Sequence, residues 1–164
     1  MAFSLRSSLL VAFLFIFWTC NPAPTPLPDP IDPSADSLAF IRALQTHLDA
    51  VANKDLVALR PTLMPGERME LILPGTPPTY TVKEFMDFHV TFFDGATWTL
   101  ESTIISAHVG SDMGIAHTEI MYREPERDGK PYFNRMAVGY ALEKIDGRWY
   151  VVKDQMCSLE KSTD

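Results

Sequence analysis

Two hydrophobic periods divide this chain. Up to about residue 93 the apolar positions recur at three- and four-residue steps, and from 97 to 158 they follow the two-residue alternation of strands. The first period marks helices with one apolar stripe, the second marks half-buried strands. Four long strands are predicted, at 97–109, 113–123, 132–145 and 148–158, each rich in β-branched and aromatic residues. They are separated by Gly110-Ser111-Asp112, by 124–130 with its Asp128-Gly129, and by Asp146-Gly147. Asp-Gly between such runs signals a tight hairpin, because both turn residues need positive φ.

The helical part reads in three steps. Ser34 opens a helix with Asp36 in its first turn, and Leu38, Ile41, Leu44, Leu48 and Val51 form its stripe. Asn53-Lys54-Asp55 ends it, and Asp55 caps a short second helix from 56 to about 63, limited by Pro61. Pro65-Gly66 makes a turn, 69–73 a short strand, and 74–78 a loop suited to a cavity mouth. Thr81 and Glu84 form a capping box for a third helix running to Phe93, with Val82, Phe85, Met86, His89, Phe92 and Phe93 on one broad face. Helices followed by four long strands give an α+β domain, helices packed on one face of a curved antiparallel sheet.

Composition adds an address. The chain has 164 residues, 46% hydrophobic and 21% charged, which is globular. Its net charge of −7 argues against nucleic acid as a partner and against attraction to anionic lipid. Residues 1–20 read as a targeting segment: Arg6, then the apolar run 9–18, too short to span a bilayer, then Cys20. That cysteine position resembles a bacterial lipoprotein signal, although Phe17-Trp18-Thr19 is bulkier than such sites usually are. Plain secretion and an uncleaved anchor are the alternatives. Residues 21–33 carry six prolines and form a stiff tether. The expected layout is signal 1–20, tether 21–33, domain 34–160 and tail 161–164. Cys157 is left as a lone thiol, and no disulfide is expected.

The order of elements resembles the nuclear transport factor 2-like superfamily, which includes ketosteroid isomerases and SnoaL-like polyketide cyclases. Three pieces carry the resemblance: the long helix entering Asn53-Lys54-Asp55-Leu56; Arg135 ahead of a strand ending in Lys144-Ile145-Asp146-Gly147-Arg148-Trp149; and the closing run from Trp149 through Asp154-Gln155 to Ser158. The resemblance implies a cone, a bent sheet wrapped around the helices with a pocket at its open end.

Candidate pocket residues are Phe85, His89, Trp98, His117, Glu119, Arg135 and one of Asp154 and Gln155. His89 is read as a pocket wall, a ligand contact or a general base. His117 and Glu119 share one strand face, which is either the solvent or dimer side or the pocket floor. By resemblance to the closing strand, Gln155 is expected inward. Arg135 stands on a face with Ala137, Gly139 and Ala141, and either lines the cavity or pairs on the outer surface. Tyr132, Met136, Val138, Tyr140 and Leu142 form either a dimerising face or core. His47 and His108 are read as surface residues.

Neither a metal nor a cofactor is expected, since no histidine pair or cysteine cluster has ligand spacing and no glycine-rich phosphate loop occurs. The leading functional reading is an exported, lipid-anchored domain that binds a small apolar or amphipathic molecule without catalysis. The second is an isomerase, dehydratase or cyclase acting alpha to a carbonyl, with His89 or Asp154 as base. The third is a ligand-free scaffold dimerising through its sheet.

Overall fold

A computed structural model describes residues 35–162. The targeting segment, Cys20, the proline tether, Ser34 and the last two residues lie outside the described residues. The helix α1 (Ala35–Ala52) is followed by α2 (Leu56–Leu59) and one tighter turn through Pro61. Asp55 caps α2 by accepting from the Ala58 amide at 2.9 Å. Then come β1 (Arg68–Ile72), β2 (Thr79–Thr81) and α3 (Val82–Phe93). The capping box is present at α3: the Glu84 amide donates to Thr81 Oγ1 at 3.1 Å, and the Thr81 amide donates to Glu84 Oε2 at 3.0 Å.

Four long strands complete the domain: β3 (Thr99–Val109), β4 (Met113–Arg127), β5 (Lys130–Ile145) and β6 (Arg148–Lys161). The sheet order is β2-β1-β6-β5-β4-β3, antiparallel throughout except where β1 runs parallel to β6. The expected α+β architecture is therefore present. Three of the strands, β4, β5 and β6, outrun their expected ends, while β3 starts two residues later than expected. The strand continues through 124–127 although Pro125 has no amide to donate, because the ladder skips Pro125 and Glu126 and resumes at Arg127. Asp128 (φ 54°) and Gly129 (φ 81°) then make the tight turn. The strand β2, which the sequence reading assigned to no element, lies antiparallel to β1.

Irregular registers in all three pairings among the long strands mark where the sheet bends around α1 and α3. On α1 the buried stripe is Phe40, Leu44, His47 and Leu48, while Leu38 faces solvent. The expected stripe was thus rotated by part of a turn. Phe40 is fully buried and meets Trp149 edge-on at 5.3 Å. It also lies over Gly114, where an added Cβ would come 2.6 Å from the Phe40 ring. Gly114→Ala is expected to destabilise the fold by about 1–3 kcal/mol in denaturant titrations, with Phe40→Leu in the same chain recovering part of the loss.

Candidate functional site

Between the concave face of the sheet and the helices α1 and α3 lies a cavity of ≈ 260 Å³. Leu48 and Val51 come from α1, Phe88, His89 and Phe92 from α3, and Leu71 from β1. Ile120, Tyr122, Tyr132, Asn134, Met136, Tyr140, Asp154 and Met156 supply the sheet wall, with Arg127 at the β4–β5 turn. The lining is largely apolar, with a few polar groups that could orient an occupant.

Asp154 is the deepest chemical feature. It is 4% exposed, and its Oδ1 has no hydrogen-bond partner among the described residues. Burial pushes its carboxyl up to about 8, so at neutral pH it holds a proton and acts as a donor. Tyr140 stands directly opposite on β5. Burial first, and then the neighbouring Asp154, raise its phenol well above the usual range. His89 approaches from α3. Its Nδ1 donates to the Phe85 carbonyl at 2.8 Å, which leaves Nε2 as the acceptor of the neutral ring. Desolvation holds this imidazole down at about 4, against the opposing pull of that hydrogen bond. These three groups of the cavity lining are thus uncharged at neutral pH, two of them donors and one a weak base. Such a set can hold a carbonyl or hydroxyl oxygen.

Asp154, rather than Gln155, faces inward, and a bulge is the reason. Leu142 pairs with Val151 and Ala141 with Lys153, so Val152 is an extra residue in the ladder. Strict alternation from the buried Trp149 and Val151 would point Lys153 and Gln155 inward; the extra residue reverses the phase. Gln155 is exposed on the outer face, and its expected inward position is corrected.

Five more candidates do not line the cavity. His117 is exposed on the convex side. Glu119 pairs there with Arg135 at 3.2 Å, and Glu160 lies 3.5 Å from the same guanidinium. These carboxylates hold Arg135 above its ordinary value. The small residues Gly139 and Ala141 beside it line a shallow depression on the outer face with His117 and Gln155, separate from the inner cavity and without Arg135. Phe85 is fully buried behind the wall, 4.1 Å from the His89 ring. Trp98 braces the wall: its indole donates to the Phe92 carbonyl at 3.1 Å, and its ring stacks on Phe92 at 4.6 Å. Of the expected site residues, the cavity brings together His89 and Asp154.

His47 is the other correction, since it is completely buried. Its Nδ1 donates to Thr62 Oγ1 at 2.8 Å, because that hydroxyl gives its own proton to the Leu59 carbonyl. Desolvation and the nearby His89 lower its ring to about 3. The helical spacing from Phe40 and Leu44 was the available signal. His108 is exposed, as expected.

No family model matches this chain, and no curated protein matches it in sequence. Its fold does recur among solved structures. A ketosteroid isomerase-like protein from Erwinia carotovora atroseptica superimposes with a TM-score of 0.65 at 16% identity, over 75% of this chain and 95% of that one. An NTF-2 like protein of unknown function from Shewanella oneidensis gives 0.61 at 16%, over 73% and 97%. The association domain of C. elegans CaMKII gives 0.57 at 21%, over 74% and 95%.

Proposed function

We propose that this nuclear transport factor 2-like domain binds a small, largely apolar molecule, held through one oxygen set against Asp154 and Tyr140. The carrying observation is the unpartnered Asp154 Oδ1 inside an apolar cavity. A buried polar group without a partner costs about 1–3 kcal/mol, a cost a bound molecule offsets by supplying that partner. Binding is taken as the leading reading because desolvation makes His89 a weak base at neutral pH and burial keeps Asp154 mainly in its protonated form. The test is displacement of anilinonaphthalene sulfonate fluorescence by a cyclic ketone and by the matching hydrocarbon. The ketone should compete better, and Asp154→Leu should erase the difference. Equal competition by both in the wild-type protein would refute the reading.

A second reading is favoured by His89 and Asp154 lining one cavity, and by the ketosteroid isomerase-like neighbour. It makes the domain an enzyme acting alpha to a carbonyl. Deuterium uptake from heavy water at the alpha carbon of a bound ketone, followed by NMR, separates the two. Binding alone predicts the background rate.

Two further parts of the proposal concern address and assembly. Export and lipid anchoring rest on residues 1–33 of the sequence. Fatty-acid labelling of the cells should mark the protein and fail in Cys20→Ala. Pairing of two copies through the convex face is supported by the solvent-exposed Ile115, 53% exposed, beside the small outward residues Gly139 and Ala141, and by the association-domain neighbour. Ile115→Lys should then shift the species seen by light scattering from dimer to monomer; an unchanged mass would remove this face from consideration.

A further inference from the structure

The cavity is polar at both ends, and its mouth is more organised than an opening requires. Arg127 lines it at the tip of the β4–β5 hairpin. The guanidinium is stacked 3.5 Å over the Tyr132 ring and gripped along one edge by Glu124, through Nε to Oε2 at 3.0 Å and Nη2 to Oε1. The Tyr122 hydroxyl donates at 2.5 Å to the same carboxylate. Nε and Nη2 are thereby engaged by Glu124, with the Tyr122 hydroxyl also beside the guanidinium, and Nη1 makes no hydrogen bond among the described residues. A guanidinium whose rotamer is already fixed loses little freedom when that free nitrogen meets a second carboxylate, for which its fork is shaped. Asn134, the next inward position on β5 after Tyr132, also faces the cavity, and its buried Oδ1 has no partner.

The two polar ends are far apart. From Asn134 to Tyr140 is six residues of β5, about 20 Å along an extended strand. A volume of ≈ 260 Å³ drawn out over that path is a narrow bore. The walls between are Ile120, Met136, Met156 and Phe92, all apolar.

We propose that the occupant is bipolar: an elongated apolar body with a carbonyl or hydroxyl oxygen at the deep end, against Tyr140 and Asp154, and a carboxylate at the mouth, on the free Nη1 of Arg127. An ω-hydroxy or ω-oxo carboxylic acid has this chemistry. The inference rests on the binding reading above and adds the head group and the length of the molecule. In a protein of net charge −7, an anionic ligand needs such a local cation to be recognised.

Calorimetric titration of the purified protein with a long-chain ω-hydroxy acid, the diol of equal length and the unsubstituted fatty acid tests it. The hydroxy acid should bind about ten- to hundredfold more tightly than either analogue. Arg127→Gln should weaken the hydroxy acid far more than the diol and so remove the advantage over it; Arg127→Lys should restore part of it. Asp154→Leu should remove the advantage over the fatty acid. Equal binding of acid and diol in the wild-type protein overturns the head-group assignment while the cavity reading stands. Absence of binding by all three, together with failure of the ketone to displace the fluorescent probe, overturns both.

Discussion

Stability is expected to pass through a maximum near pH 6.5, and Asp154→Asn is expected to abolish the decline above it. Three buried groups set the curve. Folding lowers His47 to about 3 and His89 to about 4, both from 6.5. It raises Asp154 from 3.8 to about 8. Between about pH 4 and 6.5 the unfolded chain carries two histidine protons that the folded chain lacks. The folded chain carries one Asp154 proton that the unfolded chain lacks. Unfolding then takes up one proton net, so stability rises with pH. Above 6.5 the unfolded histidines are neutral, and only the Asp154 proton differs. Unfolding now releases a proton, and stability falls until the pH passes about 8, a loss on the order of 2 kcal/mol. In Asp154→Asn the upper limb should become flat and the acid limb about twice as steep, since two histidine protons then act unopposed. Urea midpoints collected across this range provide the measurement. A decline above pH 6.5 that survives in the mutant would mean that a group other than Asp154 sets the upper limb.

The same residue shows where sequence reasoning stops. Local chemistry was legible: Asp128-Gly129 and Asp146-Gly147 turn where Asp-Gly should, and Thr81 with Glu84 caps α3. These signals act within four residues, so they survive in the sequence alone. The inward face of β6 depends instead on one extra residue in its pairing with β5, a property of two strands together. The adjacent buried Val151 and Val152 are its trace, since two neighbours in a regular strand face opposite sides. Arg127 was hidden for a related reason. Pro125 made 124–130 read as a loop, whereas the ladder resumes beyond it and carries the arginine to the cavity mouth. Arg135 was drawn toward the cavity by its small neighbours, yet its register opposite Met121 places it on the convex face. Helix α3 presented no such ambiguity: it runs uninterrupted from Val82 to Phe93, and His89 lies where its spacing from Phe85 put it.

Filling the bore should abolish binding without unfolding the protein. Ile120 is 3% exposed, faces inward from β4 opposite Met136, and lines the cavity midway between its polar ends. A larger side chain in a packed core normally costs about 1–3 kcal/mol, because neighbours must move aside. Here the added atoms have an empty volume of ≈ 260 Å³ to enter. Each newly buried methylene contributes about 0.8 kcal/mol of transfer free energy, so Ile120→Phe should match or exceed the wild-type melting temperature. The ring would block the path between Arg127 and Asp154, and any occupant spanning both ends should lose more than a hundredfold in affinity, on the order of 3 kcal/mol. A short ketone seated only against Tyr140 and Asp154 would be affected less, which makes the pair of ligands a ruler for how far the natural molecule reaches. A folded Ile120→Phe protein that binds the long hydroxy acid as tightly as wild type would show that the occupant does not run along β5, and the cavity would then have to be entered from another side.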